Sequence, residues 1–317
     1  MQRYLARRVL QLIPTLLLAS VIIFGIIHLA PGDPARMMLG PEATEEDLKY
    51  ERIRLGLDKP IPVRYVIWLS DVARLKLGVS QYTRRPVVQL LREAFPNTVK
   101  LALSSLFVAV VIGVPLGMLA GLKQDSRTDA AITGFNALGL AVPTFWLGIL
   151  LIIVFSVQLK WLPPSGAGDP DKDAIYNLRY LILPLVSIAV SNLSVFSRFM
   201  RSSMIDVLSA DYIRTAYAKG LRTQVVINRH ALKNALIPVV AVLGIQFGRL
   251  LGGAVVTEAV FAYPGIGRLV ITSILNRDYP IVQATLVLVV AIFLVTNILV
   301  DIVYAYLDPR IKFGDTR

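Results

Sequence analysis

The chain alternates long apolar runs with short polar stretches. A hydrocarbon core about 30 Å thick requires roughly 20 mostly apolar residues in helical form. Six runs qualify: residues 9–29, 101–122, 130–159, 180–197, 236–261 and 281–306. The fourth is the shortest and carries Ser187, Ser191, Asn192 and Ser194, which predicts a helix packed inside a bundle. The third is long enough to tilt or to contain a break at Pro143. On the second run, Gly113, Pro115, Gly117 and Gly121 predict close helix contact or a kink.

Composition supports this reading. Of 317 residues, 55% are hydrophobic and 17% charged, against roughly 25% charge in a soluble domain. Mean hydropathy is +0.64. A chain with so little charge is a membrane protein. The absence of Cys excludes a disulfide scaffold, an iron–sulfur cluster and a thiolate zinc site. The net charge of +12 raises the question of nucleic acid. The basic residues sit beside apolar runs, so their partner is the lipid bilayer. The first apolar run follows a basic start. It is too long for a signal peptide and lacks a small-residue cleavage site, so it is expected to stay as an anchor.

Six spans place both termini on one side, and basic residues choose which. With the amino terminus inside, the inner segments hold fifteen Lys and Arg, seven of them in the loop from Arg198 to Lys233, whereas the two short outer loops hold five. Both termini are therefore expected to be cytoplasmic. Residues 30–98 contain no spanning run. Within them Val63, Val66, Ile67, Val72 and Leu75 fall near helical spacing. This predicts a small helical cap on the outer ends of the spans or a docking surface for an extracytoplasmic partner.

The inner loop at 198–233 reads as helix, Gly, helix. Asp211 is placed to cap a short helix, and Tyr212–Lys219 are adequate helix formers. Gly220 would supply the left-handed stop. Thr223 would cap a second helix running towards Pro238. A loop that was merely solvated would not require Tyr212, Ile213, Ala216 and Tyr217 exposed on a helix, and such a patch marks a protein interface.

The segments Asp211-Tyr-Ile-Arg-Thr-Ala-Tyr-Ala-Lys-Gly220 and Arg229-His-Ala-Leu-Lys-Asn-Ala-Leu-Ile-Pro238 resemble the cytoplasmic signature of ATP-binding-cassette importer permeases, in the dipeptide/oligopeptide/nickel branch. In the general signature Glu-Ala-Ala precedes the Gly; here Arg214-Thr215-Ala216 takes that place. Other segments resemble the same branch: Pro31-Gly-Asp-Pro34, Leu55-Gly-Leu-Asp-Lys-Pro60, Arg198-Phe-Met-Arg201, Gly252-Gly-Ala-Val-Val-Thr-Glu258, Phe261-Ala-Tyr-Pro-Gly-Ile-Gly267, Arg277-Asp-Tyr-Pro280 and Asp308-Pro-Arg310. They run nearly the whole length of the chain. Lys76-Leu-Gly78 departs from the Gly-Asp that the family commonly places before this Leu-Gly.

The resemblance implies an all-α integral membrane fold of type I, with six transmembrane helices, a cytoplasmic coupling helix and a small extracytoplasmic helical insertion. It divides the chain into the first span plus insertion (1–94), the core (95–308, with its coupling loop at about 198–235) and a tail (309–317). It further implies a second, similar permease subunit, two ATPase subunits and an extracytoplasmic substrate-binding protein, with peptide, glutathione, a nickel chelate or an oligosaccharide as cargo. Asp211, Tyr212, Ile213, Arg214, Thr215, Ala216, Lys219 and Gly220 would seat on the ATPase.

The chain has no Gly-x-x-x-x-Gly-Lys-Ser/Thr, so it has no phosphate-cradling loop of its own. Any ATP and Mg²⁺ would belong to the partner ATPases, and no cofactor is expected on this chain. Gly265-Ile-Gly267 lacks a third glycine and reads as a turn set by Pro264. His28 and His230 fall on opposite sides of the membrane and cannot share a metal. No Ser/His/Asp cluster or paired carboxylate occupies a plausible site, so no enzyme activity is expected.

Arg249 lies near the middle of the fifth run. A charge there faces a bundle interior or a watery cavity. It reads equally as a path residue meeting a substrate carboxylate or as half of an internal pair. Asn136, Asn192 and Gln246 are further candidates for the path, although polar groups also bond between packed helices. Glu258, at the outer end, is a candidate gate residue, and Asp301 is expected to pair with inner basic residues. An ion-driven transporter or channel is the rival class. It would call for intramembrane acids or an inverted repeat, and neither is evident. A non-transporting membrane anchor is a third reading.

Overall fold

A computed structural model describes residues 2–29, 34–39, 42–54, 56–169 and 171–307. Among the described residues the secondary structure is helical, apart from an antiparallel bridge between Val79 and Pro86. The motifs at Pro31–Asp33 and Asp308–Arg310 fall outside them, as do the side chains of His28 and Asp301.

Helix α1 spans Gln2–Leu29 and leads into α2 (Pro34–Leu39), α3 (Glu45–Arg54) and α4 (Ile61–Ala73). Helix α5 runs from Val87 to Leu122, well before the apolar run begins at Leu101. Next come α6 (Arg127–Ala141) and α7 (Thr144–Leu151), the latter extended by a π-helical turn over Ile152–Gln158. Helix α8 (Ala174–Leu208) is followed by the short α9 (Asp211–Ala218). A continuous helical path then leads from α10 (Thr223–Val225) through the π turn Val226–Ala231 into α11 (Leu232–Gly253). Finally α12 (Val255–Val260), α13 (Ile266–Leu275) and α14 (Tyr279–Leu307) complete the chain.

Four of these segments are long and apolar enough to cross a membrane, and the bent pair α6–α7 makes a fifth. With the 28-residue α1, they account for the six apolar runs. The fold has two ends: the insertion end carries residues 34–86, and the loop end carries α9.

The third run does break at Pro143. Val142 adopts an extended conformation (φ −79°, ψ 121°), as a residue before proline must, and the two helices meet at 97°. The fourth run, the shortest by hydropathy, belongs to a 35-residue helix. Its polar residues had concealed its length. Asp173 caps its start by accepting from the Tyr176 N–H at 2.8 Å, and most of its apolar stretch is buried.

The α5–α8 contact organises the bundle. A Cβ on Gly113 would lie 2.7 Å from the Leu193 carbonyl, and one on Gly121 would lie 2.7 Å from Cβ of Met204; Gly117 faces the Ser197 carbonyl still more closely. Four-residue spacing aligns the three on one helix face, so the backbones approach as only small residues permit. The main core grows outward from this seam. Leu106, Ala109, Leu193, Phe196, Met200 and Met204 join Ile213 and Ala216 of α9 and Val226, Ala231, Ala235 and Val239 of the helix that follows.

Candidate functional site

The loop end presents the first site. Ile213 and Ala216 of α9 are buried in the main core, while Asp211, Tyr212, Arg214, Thr215, Tyr217 and Lys219 are exposed. Expected exposure of Ile213 and Ala216 is thus corrected. One turn apart, they root the helix in the bundle, and the opposite face stays open. Tyr212 and Tyr217 are each 43% exposed, and the Tyr212 hydroxyl accepts from Asn234 Nδ2 of α11 at 2.9 Å.

The start of α9 also differs from expectation. Ala210 is the capping position, and no side chain caps the helix. Asp211 occupies the first helical position instead. There its charge favours the positive end of the helix dipole, and it pairs loosely with Arg214 at 3.5 Å. Thr223 is likewise the first residue inside its helix, which Arg222 precedes without a side-chain cap. That helix is the base of the fifth span, not a separate element.

The stop is as the sequence indicates. Gly220 has φ +77°. Its N–H donates to the Tyr217 carbonyl at 2.9 Å, and that of Leu221 donates to the Ala216 carbonyl at 3.4 Å. This pair of bonds closes a helix in a Schellman motif. A helix fixed this way, with two residues in the core, is packed against α8 and α11.

Beside it lies a pair that sequence reasoning missed. Arg201 of α8 donates from Nε and Nη2 to the two carboxylate oxygens of Asp129 at 2.5 and 2.6 Å. Asp129 also accepts from the Asp125 N–H at 3.1 Å. Its own N–H donates to Ser126 Oγ at 3.2 Å. The Ser126-Arg-Thr-Asp129 spacing was the available signal, because a Ser three residues before an acid marks a helix start. Only the fold supplies the arginine.

The second site crosses the bundle. Gln246 of α11 donates from Nε2 to Asn192 Oδ1 on α8 at 2.8 Å, and Asn192 in turn donates to the Ile188 carbonyl at 3.0 Å. Arg249 Nη1 reaches Gln246 Oε1 at 3.4 Å. Three of the four predicted polar candidates therefore form one line, buried at Asn192 and exposed at Arg249. Asn136 lies apart, donating to Ser197 Oγ at 2.9 Å, and its Oδ1 is buried without a partner.

Glu258 is a corner post of the insertion end. Its fully buried carboxylate accepts from Thr98 Oγ1 at 2.7 Å and from the N–H groups of Gly267 at 2.7 Å and Arg268 at 3.2 Å. Thr98 accepts from the Ile266 N–H at 2.8 Å. Together they cap α13, whose own capping residue Gly265 has no side chain to do so. A Cβ on Gly265 would overlap this carboxylate, which gives Gly265 its physical reason; the expected turn at Gly265–Gly267 is instead the start of α13, with Ile266 and Gly267 already helical. Asp278 plays a similar part: it is buried and accepts from Ser80 Oγ and from the N–H groups of Gln81 and Tyr82. Two acids thus tie the insertion and the α12–α13 corner to the bundle. Among the described residues no cluster of acids and histidines is arranged to hold a metal ion.

The fold has solved counterparts. A chain of the MetNI methionine ABC transporter, in an inward-facing conformation, superposes with TM-score 0.60 at 17% identity, over 70% of this chain and 98% of that one. A chain of an amino acid ABC transporter gives TM-score 0.52 at 14% identity, over 71% and 95%.

Sequence relatives match end to end. A probable peptide ABC transporter permease, y4tP of Sinorhizobium fredii, is 42% identical over 98% of this chain and 99% of its own length. The glutathione transport system permease GsiC of Escherichia coli is 41% identical over 99% and 100%. Residues 113–313 match the family described as the binding-protein-dependent transport system inner membrane component, and residues 1–102 match its amino-terminal counterpart. The chain therefore belongs to the binding-protein-dependent transport system inner membrane components, as an integral-membrane permease subunit of an ABC importer that works with ATPase and substrate-binding partners and is not itself an enzyme.

Proposed function

We propose that this permease carries di- and oligopeptides, and that it forms half of the path beside a second, similar permease. Two ATPase subunits holding ATP and Mg²⁺ would lie at the loop end, on the cytoplasmic side with both termini. A peptide-loaded binding protein would dock at the insertion end. Residues 1–94 form the first span plus insertion, 95–308 the transporting core and 309–317 a tail. The end-to-end likeness to a peptide permease supports the cargo. Glutathione, itself a short peptide, is the second reading, favoured by the relatives of that name.

One observation carries the mechanism: α9 is rooted by Ile213 and Ala216 and bares Tyr212 and Tyr217. A protein groove that receives this open face pushes on a helix which shares its core with α8 and α11. Closure of the ATPase pair on ATP then becomes a shift of the spans, and access alternates across the membrane. The line Asn192–Gln246–Arg249 offers polar groups within the spans, as a path for peptide requires, because a charge at that depth faces water or protein and not lipid.

The test uses the natural absence of cysteine. A single Thr215→Cys on the open face of α9 should cross-link to an ATPase subunit in the assembled importer. The same preparation, reconstituted with its binding protein, should take up peptide on ATP addition. An α9 that labels freely in the assembly, touching no other polypeptide, would end the coupling reading. Uptake of glutathione but not of other short peptides would replace the cargo.

A further inference from the structure

Helix α4 is the least explained element of the insertion, since none of its residues is buried. Its sequence, Ile-Pro-Val-Arg-Tyr-Val-Ile-Trp-Leu-Ser-Asp-Val-Ala, is apolar nearly all round. At 3.6 residues per turn, Ile61, Tyr65, Trp68 and Val72 share one face. Val63, Val66, Ile67 and Ser70 share the opposite one. Arg64 and Asp71 fall together on one edge between them.

The first face packs on α1. Phe24 meets the rings of Tyr65 and Trp68 with centroids 5.5 Å away in each case. Ser20 Oγ lies 2.8 Å from the Tyr65 hydroxyl and donates to the Leu17 carbonyl at 2.7 Å. With that proton committed, Tyr65 is the donor to Ser20, and both hydroxyls are satisfied without water. Further along, Trp68, Asp71 and Val72 border a cavity of about 220 Å³ whose far wall is Pro280, Gln283 and Ala284 at the start of α14.

These contacts fix the depth of α4. The apolar run of α1 begins at Val9, directly after Arg7 and Arg8. At 1.5 Å per residue, Ser20 and Phe24 stand about 16 and 22 Å beyond Val9, inside a hydrocarbon core of about 30 Å. A helix that touches them lies beside the span, not above it. The flank of α1 is itself apolar and exposed at Leu18, Val21 and Ile22. Val63, Val66 and Ile67 are 46%, 63% and 43% exposed, and in water nothing would offset that cost.

We propose that α4 is an interfacial helix, sunk in the leaflet on the insertion side, with lipid acyl chains covering Val63, Val66 and Ile67. Tyr65 and Trp68 then pack below the headgroups, against Ser20 and Phe24 of α1. The helix would brace α1 against α14 and hold the insertion at a fixed height over the spans.

The test places a nitroxide on single cysteines at Val66 and Ile67, in the assembled importer in vesicles of phosphatidylethanolamine and phosphatidylglycerol. Leu18→Cys on α1 serves as the lipid-facing control and Tyr50→Cys on α3 as the aqueous one. Val66→Cys and Ile67→Cys should show the oxygen-rich, nickel-shielded profile of Leu18→Cys, at a depth of about 8–14 Å below the outer edge of the hydrocarbon core, the level of Phe24 and Ser20. A profile like that of Tyr50→Cys overturns the proposal. So does shielding from nickel that arises only once the binding protein is added, which would assign the face to protein docking.

Discussion

Arg201 grips Asp129 with two parallel N–H···O bonds, joining the first turn of α6 to α8 at the end of the bundle where α9 emerges. The side chains are 29% and 6% exposed, so the pair is largely shielded from water. Arg201 is only half-buried, so removing the Asp129 charge leaves a partly solvated guanidinium alone, which costs less than the roughly 3–5 kcal/mol of a fully buried pair. Asp129→Asn should therefore lower the thermal unfolding midpoint of the purified permease, and Arg201→Lys, which keeps the charge but loses the fork, should lower it less. A midpoint unchanged by Asp129→Asn would show that the pair adds nothing to stability.

Gly117 sits where α5 and α8 come closest, against the Ser197 carbonyl and Met200. The obstacle to a larger residue is backbone, which cannot swing aside. Gly117→Val should separate the two helices and reduce the yield of monodisperse protein in detergent, and overpacking of this kind costs about 1–3 kcal/mol or more. Gly134→Val is the matched control, as a Cβ there meets nothing within 4 Å. Equal yields of the two variants would refute the close-packed seam.

At Gly220 the constraint is conformational. Its φ of +77° disfavours a side chain, although a Cβ would meet no atom within 4 Å. A β-branched residue there costs roughly 1–2 kcal/mol or more. Gly220→Val should leave membrane insertion intact while loosening the end of α9, so that ATP is still hydrolysed but peptide uptake falls. Gly220→Asn, which tolerates the left-handed region, should retain most uptake. Uptake by Gly220→Val at the parental rate would remove α9 from the coupling step.

Arg249 is the exposed end of the Asn192–Gln246–Arg249 line. If it lines the path, Arg249→Leu should reach the membrane in normal amounts, since the change relieves a cost of about 2.5–3.5 kcal/mol for a charge within a span. Peptide uptake should nevertheless drop. Uptake and expression measured side by side decide the point: a normal uptake rate at normal expression removes Arg249 from the path.

The loop-end site was partly legible in advance. Gly220 announced the end of α9 because glycine adopts a left-handed turn more readily than any other residue. The start was misread at Asp211, for an acid serves equally well as a cap or within the first turn. Ile213 and Ala216 look like surface residues of a short loop helix until the neighbouring core is known. Glu258 reads as a candidate gate residue at the outer end of a span, and only the returning Gly265–Arg268 segment reveals what its carboxylate holds.

The sequence by itself determined the apolar spans and marked Pro143 and the glycines of α5 as special positions, because hydropathy, a missing N–H and a missing Cβ are local properties that no neighbour alters; that the third run breaks where it could have tilted, and that the glycines seat α5 on α8, needed the fold. It left open the partners of every polar group within the bundle. Those depend on which helix faces which, and residues 72 positions apart, such as Asp129 and Arg201, become neighbours only when apolar packing brings α6 against α8. Tertiary structure decided the rest: which acids are buried, which face of α9 stays open and how deep α4 lies.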